Sequence, residues 1–523
     1  MGCETLLDYT RIYLETDVLI LADCFEQFRT TTMQNFGLDP SKFLSTPHLG
    51  FNSMLKYTGV KLGLLQDQEM VDMVKGGIRG GVSVITKRYA QATESSQIVY
   101  LDCSNLYGFA LSKPLPVDDF RWMTNDEINS FDVTKLTIDS KRGYMLECDL
   151  GYPSDLHEKH NDLPLAPEKI VVNPEDWSPY SLAAAKTSGV RARKGTCKLV
   201  SHLGPRRHYV LHYLNLKFYL EQGMVLEKIH RGLSFTQSKW MKPFIDFTTE
   251  QRKLAKSVFH SNFWKLISNS AYGKLLQDPS KYNNLQMVSQ PFICRELVSK
   301  PTFKRIVIYN KRFVGIENKR EFVLLNKPII AGFAVLELSK LHVYKFHYLY
   351  MKRLYGDKCE LLMTDTDSLI YEVNDPDFDR DTSNNRQYFD LSNYPPENPL
   401  YDPTNKKLRG TFKNEFPHDP VLYFVGVRSK MYVTLHESQC ENKKAKGLPK
   451  SVVAHMKFDE YLKALNPEEE IKHHTFRAIR SNLHVIRSAD YKKKGLSPFD
   501  DKRYVLSDGI HTLAHGHRQI KEL

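Results

Sequence analysis

The tetrapeptide Asp365-Thr366-Asp367-Ser368 places two carboxylates at one tight turn between two apolar, β-prone runs, and residues 360–373 therefore predict a hairpin. Hard divalent cations such as Mg²⁺ take oxygen ligands, commonly one or two carboxylates completed by substrate phosphates. Two such ions can activate an attacking oxygen and stabilise a leaving one in phosphoryl transfer. The competing reading is an Asx-type turn, because Asp is a natural turn former. An EF-hand is excluded, since the Gly and Glu spacing after Asp367 is missing. A third carboxylate, Asp102, ends the apolar run 97–101, with Tyr107 five residues on. It can join the hairpin pair across neighbouring strands, or it can cap a following helix. Lys265, Asn269 and Tyr272 follow i, i+4, i+7 and share one helical face. A cation, an amide and a ring there suit a nucleoside triphosphate, with Lys at the phosphates and Tyr at the base or sugar. An amphipathic helix with ordinary surface polars would read the same way.

The elements that must position these residues are partly legible. Residues 8–36 predict a helix, with Leu14, Val18, Leu21, Phe25 and Phe28 along one stripe. The run 76–81 (GGIRGG) reads as a flexible junction before the strand that ends at Asp102. Residues 110–240 hold proline-rich turns and a basic stretch, 191–208, whose Arg191, Arg193, Lys194, Lys198, Arg206 and Arg207 have no acid among them. A solvated loop and a nucleic-acid contact both fit that stretch. Residues 250–273 predict one helix with Phe259, Phe263, Leu266 and Ser270 along a stripe and a stop at Gly273. Residues 329–354 predict another. Residues 374–410, polar and rich in Pro and Asn, read as a loop or insertion, and 411–523 mixes short strands and helices.

The chain has 523 residues, enough for about three domains. Lys plus Arg exceed Asp plus Glu by 12, and the pI near 9.0 favours a polyanionic partner such as nucleic acid. The mean hydropathy of −0.43 and the lack of any apolar run near 20 residues argue against a membrane partner. No secretory signal is visible, and none of the eight cysteines forms a C-x-x-C pair, so the expected home is intracellular, not secreted. His511, His515 and His517 cluster near the C-terminus without carboxylate or cysteine partners at ligand spacing.

Taken together, the three chemical segments resemble motifs A, B and C of family B DNA polymerases. DCSNLY from Asp102 is similar to D-x-x-S-L-Y, KLISNSAYG from Lys265 to K-x-x-x-N-S-x-Y-G, and DTDS from Asp365 is unchanged. Lys430 and Tyr432 then resemble the K-x-Y motif. Ile78-Arg79-Gly80-Gly81 resembles the Y-x-G-G/A linker of the protein-primed subgroup found in self-synthesising transposons, linear plasmids and viruses, with Ile replacing Tyr. The resemblance implies an α+β right-hand fold: a palm of antiparallel sheet, helical fingers and a thumb, with a remnant of an RNase H-like exonuclease domain at the N-terminus. The implied division is 1–75 exonuclease remnant, 76–135 linker and motif A, 136–239 first insertion, 240–285 fingers, 286–330 second insertion, 331–425 palm with motif C, and 426–523 K-x-Y element and thumb.

The resemblance further implies that Asp102 and Asp367 bind two Mg²⁺ ions, for which Mn²⁺ can substitute, while Asp365 supports the site. Tyr107 would lie under the sugar and reject a 2′-hydroxyl. Lys265 would contact the triphosphate, Asn269 and Tyr272 would shape the base-pair pocket, and Arg252 or, as the residue assigned, Lys253 would reach phosphate. Lys430 and Tyr432 would hold the primer terminus, and Gly80 and Gly81 would let template DNA pass; the lysine run 443–457 fits either a duplex track in the thumb or a solvated loop. The implied partners are primer-template DNA, dNTPs and a terminal protein primer. Of three acidic exonuclease motifs only the last, Tyr13 to Asp17, has a match, so no proofreading is expected. Asn105 and Gly108 stand where Ser and Pro are commoner in motif A. The alternative is a catalytically inert DNA-binding remnant of a mobile element.

Overall fold

The computed structural model describes residues 2–190, 196–482 and 485–522. Three helices lead in: α1 (Leu6–Phe36), α2 (Thr46–Thr58) and α3 (Gln68–Gly77). The central sheet is antiparallel throughout and gathers strands far apart in the chain. They are β1 (Ser83–Ile85), β2 (Tyr89–Gln91), β3 (Gln97–Cys103), β4 (Cys359–Asp365), β5 (Ser368–Val373), β6 (Phe412–Asn414), β7 (Val421–Arg428), β8 (Met431–His436) and β9 (Glu441–Ala445). The order is β1-β4-β5-β3-β7-β8-β9, with β6 also on β3 and β2 also on β7. The helices that flank the site are α4 (Leu106–Leu111), α5 (Lys242–Leu254), α6 (Val258–Leu275) and α7 (Ile329–Lys345). Apolar residues cover nearly every side of α7, which is what a helix threaded through the core requires. It even buries an ion pair, Glu337 with Lys340 at 3.2 Å, and the Lys340 ammonium donates to the Arg79 carbonyl at 3.1 Å.

Several expectations need correction. The 76–81 junction is packed, not flexible: a Cβ on Gly77 would sit 2.7 Å from Phe333, and the Arg79 guanidinium lies 3.7 Å over the Tyr209 ring. The stripe on α1 faces solvent, with Leu14 59% and Leu21 68% exposed. Packing begins only at its end, where Phe28 meets Phe263 and Phe36 joins Tyr57, Phe244, Phe247 and Trp264. Periodicity shows which residues share a face, not whether anything covers it. The single helix predicted over 250–273 is two helices. Ser257 caps α6 by accepting the His260 N–H, which ends α5 at Leu254, and α6 runs through Gly273 to Leu275. Its buried face carries Phe263, Trp264, Ile267 and Ala271, while Phe259 and Leu266 are exposed.

The segment before α5 forms a second antiparallel sheet, in the order Leu115–Trp122, Val225–Ser238, Arg142–Gly151, Arg206–His212. Its last strand takes up part of the basic stretch, and Lys198 lies in a separate two-stranded sheet. Arg206 is fully buried and donates to the carbonyls of Ala166, Leu165 and His202, Arg207 pairs with Glu227, and Lys198 pairs with Asp501 at 2.6 Å. Arg206 is therefore neither a phosphate contact nor a solvated loop residue, whereas Arg207 keeps an exposed side chain. Arg191, Arg193 and Lys194 lie outside the described residues. A three-stranded sheet with helix Pro291–Ser299 follows α6 and holds its own small core of Val288, Leu297 and Ile316. The 374–410 segment is ordered around Phe378, Phe389 and Leu391, all buried. No helix among the described residues is long and apolar enough to cross a membrane.

Candidate active site

The hairpin forms as its pattern predicts, with Asp365 opposite Ser368 and a two-residue turn of Thr366 and Asp367. Thr366 takes φ 69°, an unusual value for a β-branched residue, and residues held this way cluster at functional sites. Its N–H donates to the Val82 carbonyl at 2.7 Å. A Cβ on Gly81 would lie 2.5 Å from the Thr366 side chain, so Gly81 lets the linker press against the turn. Gly80, by contrast, has open space where its Cβ would be.

Strand β3 lies beside the hairpin. Asp102 pairs with Ser368, and the Cys103 N–H donates to the Asp367 carbonyl at 2.7 Å, which carries Asp102 to Asp367. Asp102 is not a helix cap. The cap of α4 is Asn105, at φ 48°, whose side chain accepts the Gly108 N–H at 3.1 Å. A proline at 108 would have no N–H to give, and a Cβ there would sit 2.3 Å from Asn105, so the two departures from the commoner motif A form one local unit. Burial, then the Asp367 charge, pushes Asp102 up to about 6, against the pull of Lys413. Burial, with Asp365 adding to it, also raises Asp367. Two half-buried carboxylates that resist ionisation mark a site short of positive charge.

On α6, Lys265 and Asn269 are exposed on the predicted face and line a cavity of about 410 Å³ that also holds Asp102, Asp367 and Tyr107. Tyr272 stacks on Tyr107, ring centroids 4.4 Å apart and 14° from parallel. Burial raises both phenols, so both rings stay neutral and can donate a hydrogen bond. Of the two basic residues at the end of α5, Arg252 lines this cavity and Lys253 is not among its lining residues. Lys430 sits in the turn between β7 and β8, and its ammonium lies 2.8 Å from Asp365. The Tyr432 hydroxyl bonds the Tyr100 hydroxyl at 2.8 Å. Both line a second cavity, about 710 Å³, that meets the first at Asp102 and Asp367 and carries Lys444, Lys446 and Lys450 of the lysine run. Lys443 also lines it, and its ammonium is held by Glu441 and two carbonyls.

The donor set suits a hard cation. Lys413, 3.7 Å from Asp102, is the one side-chain cation within ion-pair range of either carboxylate among the described residues. No group of three or more His, Cys, Asp or Glu is gathered for a metal among those residues; a cation here would take the two carboxylates and complete its shell with water and phosphate oxygen. His511 is tied to Asp508, and His515 to the Asp501 carbonyl.

Sequence reasoning missed Lys413, which β6 sets directly opposite Asp102. It also missed Asp390, Lys406 and Lys407, which line the first cavity from a segment read as a loop. The adjacent lysines in that acid-containing loop were the only available signal.

Residues 3–347 match the family described as DNA polymerase type B, organellar and viral. A stretch of 58 residues is 41% identical to the DNA-directed DNA polymerase of Enterobacteria phage PRD1, a match spanning 10% of that relative's length. The fold is similar to Phi29 DNA polymerase complexed with primer-template DNA, at TM-score 0.57 and 13% identity over 94% of this chain and 72% of that one. It is also similar to an orthorhombic crystal form of Phi29 DNA polymerase, at TM-score 0.59 and 12% identity over 94% of this chain and 73% of that one.

Proposed function

The chain belongs to the type B DNA polymerases of the organellar and viral kind, and from that premise we propose that it is a template-dependent DNA polymerase, of the protein-primed type, adding dNMPs to a primer 3′-hydroxyl. The observation that carries this reading is the meeting of two cavities at Asp102 and Asp367, one walled by Lys265, Asn269 and Tyr107, the other by Lys430 and Tyr432. The first cavity takes the dNTP and the second takes the primer end, so the reacting atoms meet over the carboxylates.

The central sheet is the palm, α5 and α6 belong to the fingers, and the chain beyond β9 forms the thumb. Lys265 and Arg252 bind the triphosphate. Tyr107, held flat by Tyr272, floors the sugar and leaves no room for a 2′-hydroxyl. Lys430 exchanges its pairing with Asp365 for a primer phosphate, and Tyr432 steadies the same strand. Two Mg²⁺ ions held by Asp102 and Asp367 would, when bound, activate the 3′-hydroxyl and neutralise charge on the departing pyrophosphate. The sheet and helices of the two insertions offer surfaces for a terminal protein.

Primer extension on primed single-stranded DNA with Mg²⁺ or Mn²⁺ tests this, with Asp367→Asn beside the parent chain. Extension that disappears in the variant is expected. A folded chain that binds DNA and extends nothing would instead support the inert remnant.

A further inference from the structure

We propose that Lys406 and Lys407, on the loop after the β4–β5 hairpin, bind the triphosphate of the incoming nucleotide together with Arg252 and Lys265. This inference rests on the polymerase reading above and adds a binding element that none of the motifs contains.

The loop is built to hold a fixed position. The Asp390 carboxylate accepts the N–H of Lys407 at 2.8 Å and that of Ser392 at 3.1 Å. The Asn405 side chain donates to the carbonyls of Arg386 and Phe389 at 2.7 and 3.0 Å. Arg409 then ties the loop to α5 through Asp246 and the Thr249 hydroxyl. The Gly410 N–H donates to the Ser104 carbonyl at 2.8 Å, two residues from Asp102. Lys407 itself takes φ 57°, a left-handed conformation that non-glycine residues rarely adopt outside sites that over-determine it.

The charge is unbalanced. Arg252, Lys265, Lys406 and Lys407 all line the first cavity, and none has a carboxylate within 4.0 Å among the described residues. The Arg252 Nε is buried without a partner. Asp390, the acid nearest to hand on the loop, is committed to backbone amides. Burial, with Arg252 and Lys406 adding to it and Asp390 opposing it, holds the Lys407 ammonium below its ordinary value. A polyanion relieves this, and two features favour the triphosphate over a DNA strand. The four cations share a cavity with Asp102, Asp367 and Tyr107, where the reacting end of the nucleotide must lie. They are also absent from the cavity lined by Lys430 and Tyr432.

The test is equilibrium dNTP binding to the full chain on a dideoxy-terminated primer-template in Ca²⁺, together with KM and kcat for extension in Mg²⁺. Lys406→Ala/Lys407→Ala should raise the dNTP Kd and KM by about tenfold or more. It should leave primer-template affinity unchanged, and Lys406→Arg/Lys407→Arg should restore most of the loss. A parent chain that extends primers while the alanine pair keeps its dNTP affinity overturns this inference and spares the polymerase reading. Weakened DNA binding with unchanged dNTP binding overturns it as well, assigning the loop to a DNA strand. A parent chain that neither binds nor incorporates nucleotide overturns the polymerase reading, and this inference with it.

Discussion

Replacing Asp102 by Asn should make the metal-free protein more stable at neutral pH while abolishing its chemistry. The folded chain holds Asp102 at about 6 against an ordinary 3.8, through burial first and Asp367 second. Between pH 3.8 and about 6 the folded state therefore keeps a proton that the unfolded state has lost. Stability falls as pH rises through that window, and the penalty is complete above it. A displacement of that size corresponds to about 3 kcal/mol, and solvent reaching the 29%-exposed side chain reduces it to about 2 kcal/mol. Carboxylates held below their ordinary range, such as Asp149 and Glu147, give the opposite slope, so the informative quantity is the difference between parent and variant. Urea unfolding at a series of pH values, without divalent metal, should show Asp102→Asn equal to the parent near pH 4 and more stable by about 2 kcal/mol at pH 7.5. Mg²⁺ should then stabilise the parent and not the variant, because a ligand that binds only the folded state adds to its stability. A variant no more stable than the parent at pH 7.5, or one that responds equally to Mg²⁺, would refute the reasoning.

Three further outcomes follow from local geometry. Gly81→Ala puts a Cβ 2.5 Å from Thr366 and should displace the turn that carries Asp365 and Asp367, so extension should fall by about tenfold or more while circular dichroism stays native. Asn105→Ala removes the α4 cap and leaves alanine at φ 48°, which should cost about 1–2 kcal/mol by urea unfolding. Tyr107→Ala removes the ring stacked on Tyr272, so single-turnover assays should show ribonucleotide incorporation rising relative to deoxynucleotide. An unchanged ratio would remove Tyr107 from sugar discrimination.

The carboxylate turn and the polar face of α6 were legible because they are local. A two-residue turn between apolar strands can be read from ten residues, and i, i+4, i+7 spacing fixes which side chains leave a helix together. Asp365, Asp367, Lys265 and Asn269 all stand where that logic puts them. Helix breaks were harder to see: Ser257 looks like any helical serine until its side chain is found accepting the His260 N–H.

The sequence by itself determined the two-carboxylate turn, the shared face of α6, the strand that delivers Asp102 and the likeness to a polymerase. Each depends on neighbours along the chain, whose spacing sets their geometry. Only the tertiary structure decided that Asn105 rather than Asp102 caps α4, that Arg206 lies in the core, and that the α1 stripe faces solvent. It alone brought Lys413 opposite Asp102, and Lys406 and Lys407 to the cavity of Lys265. Those placements come from strand pairing and packing between segments separated by many elements, and the period of no single element encodes them.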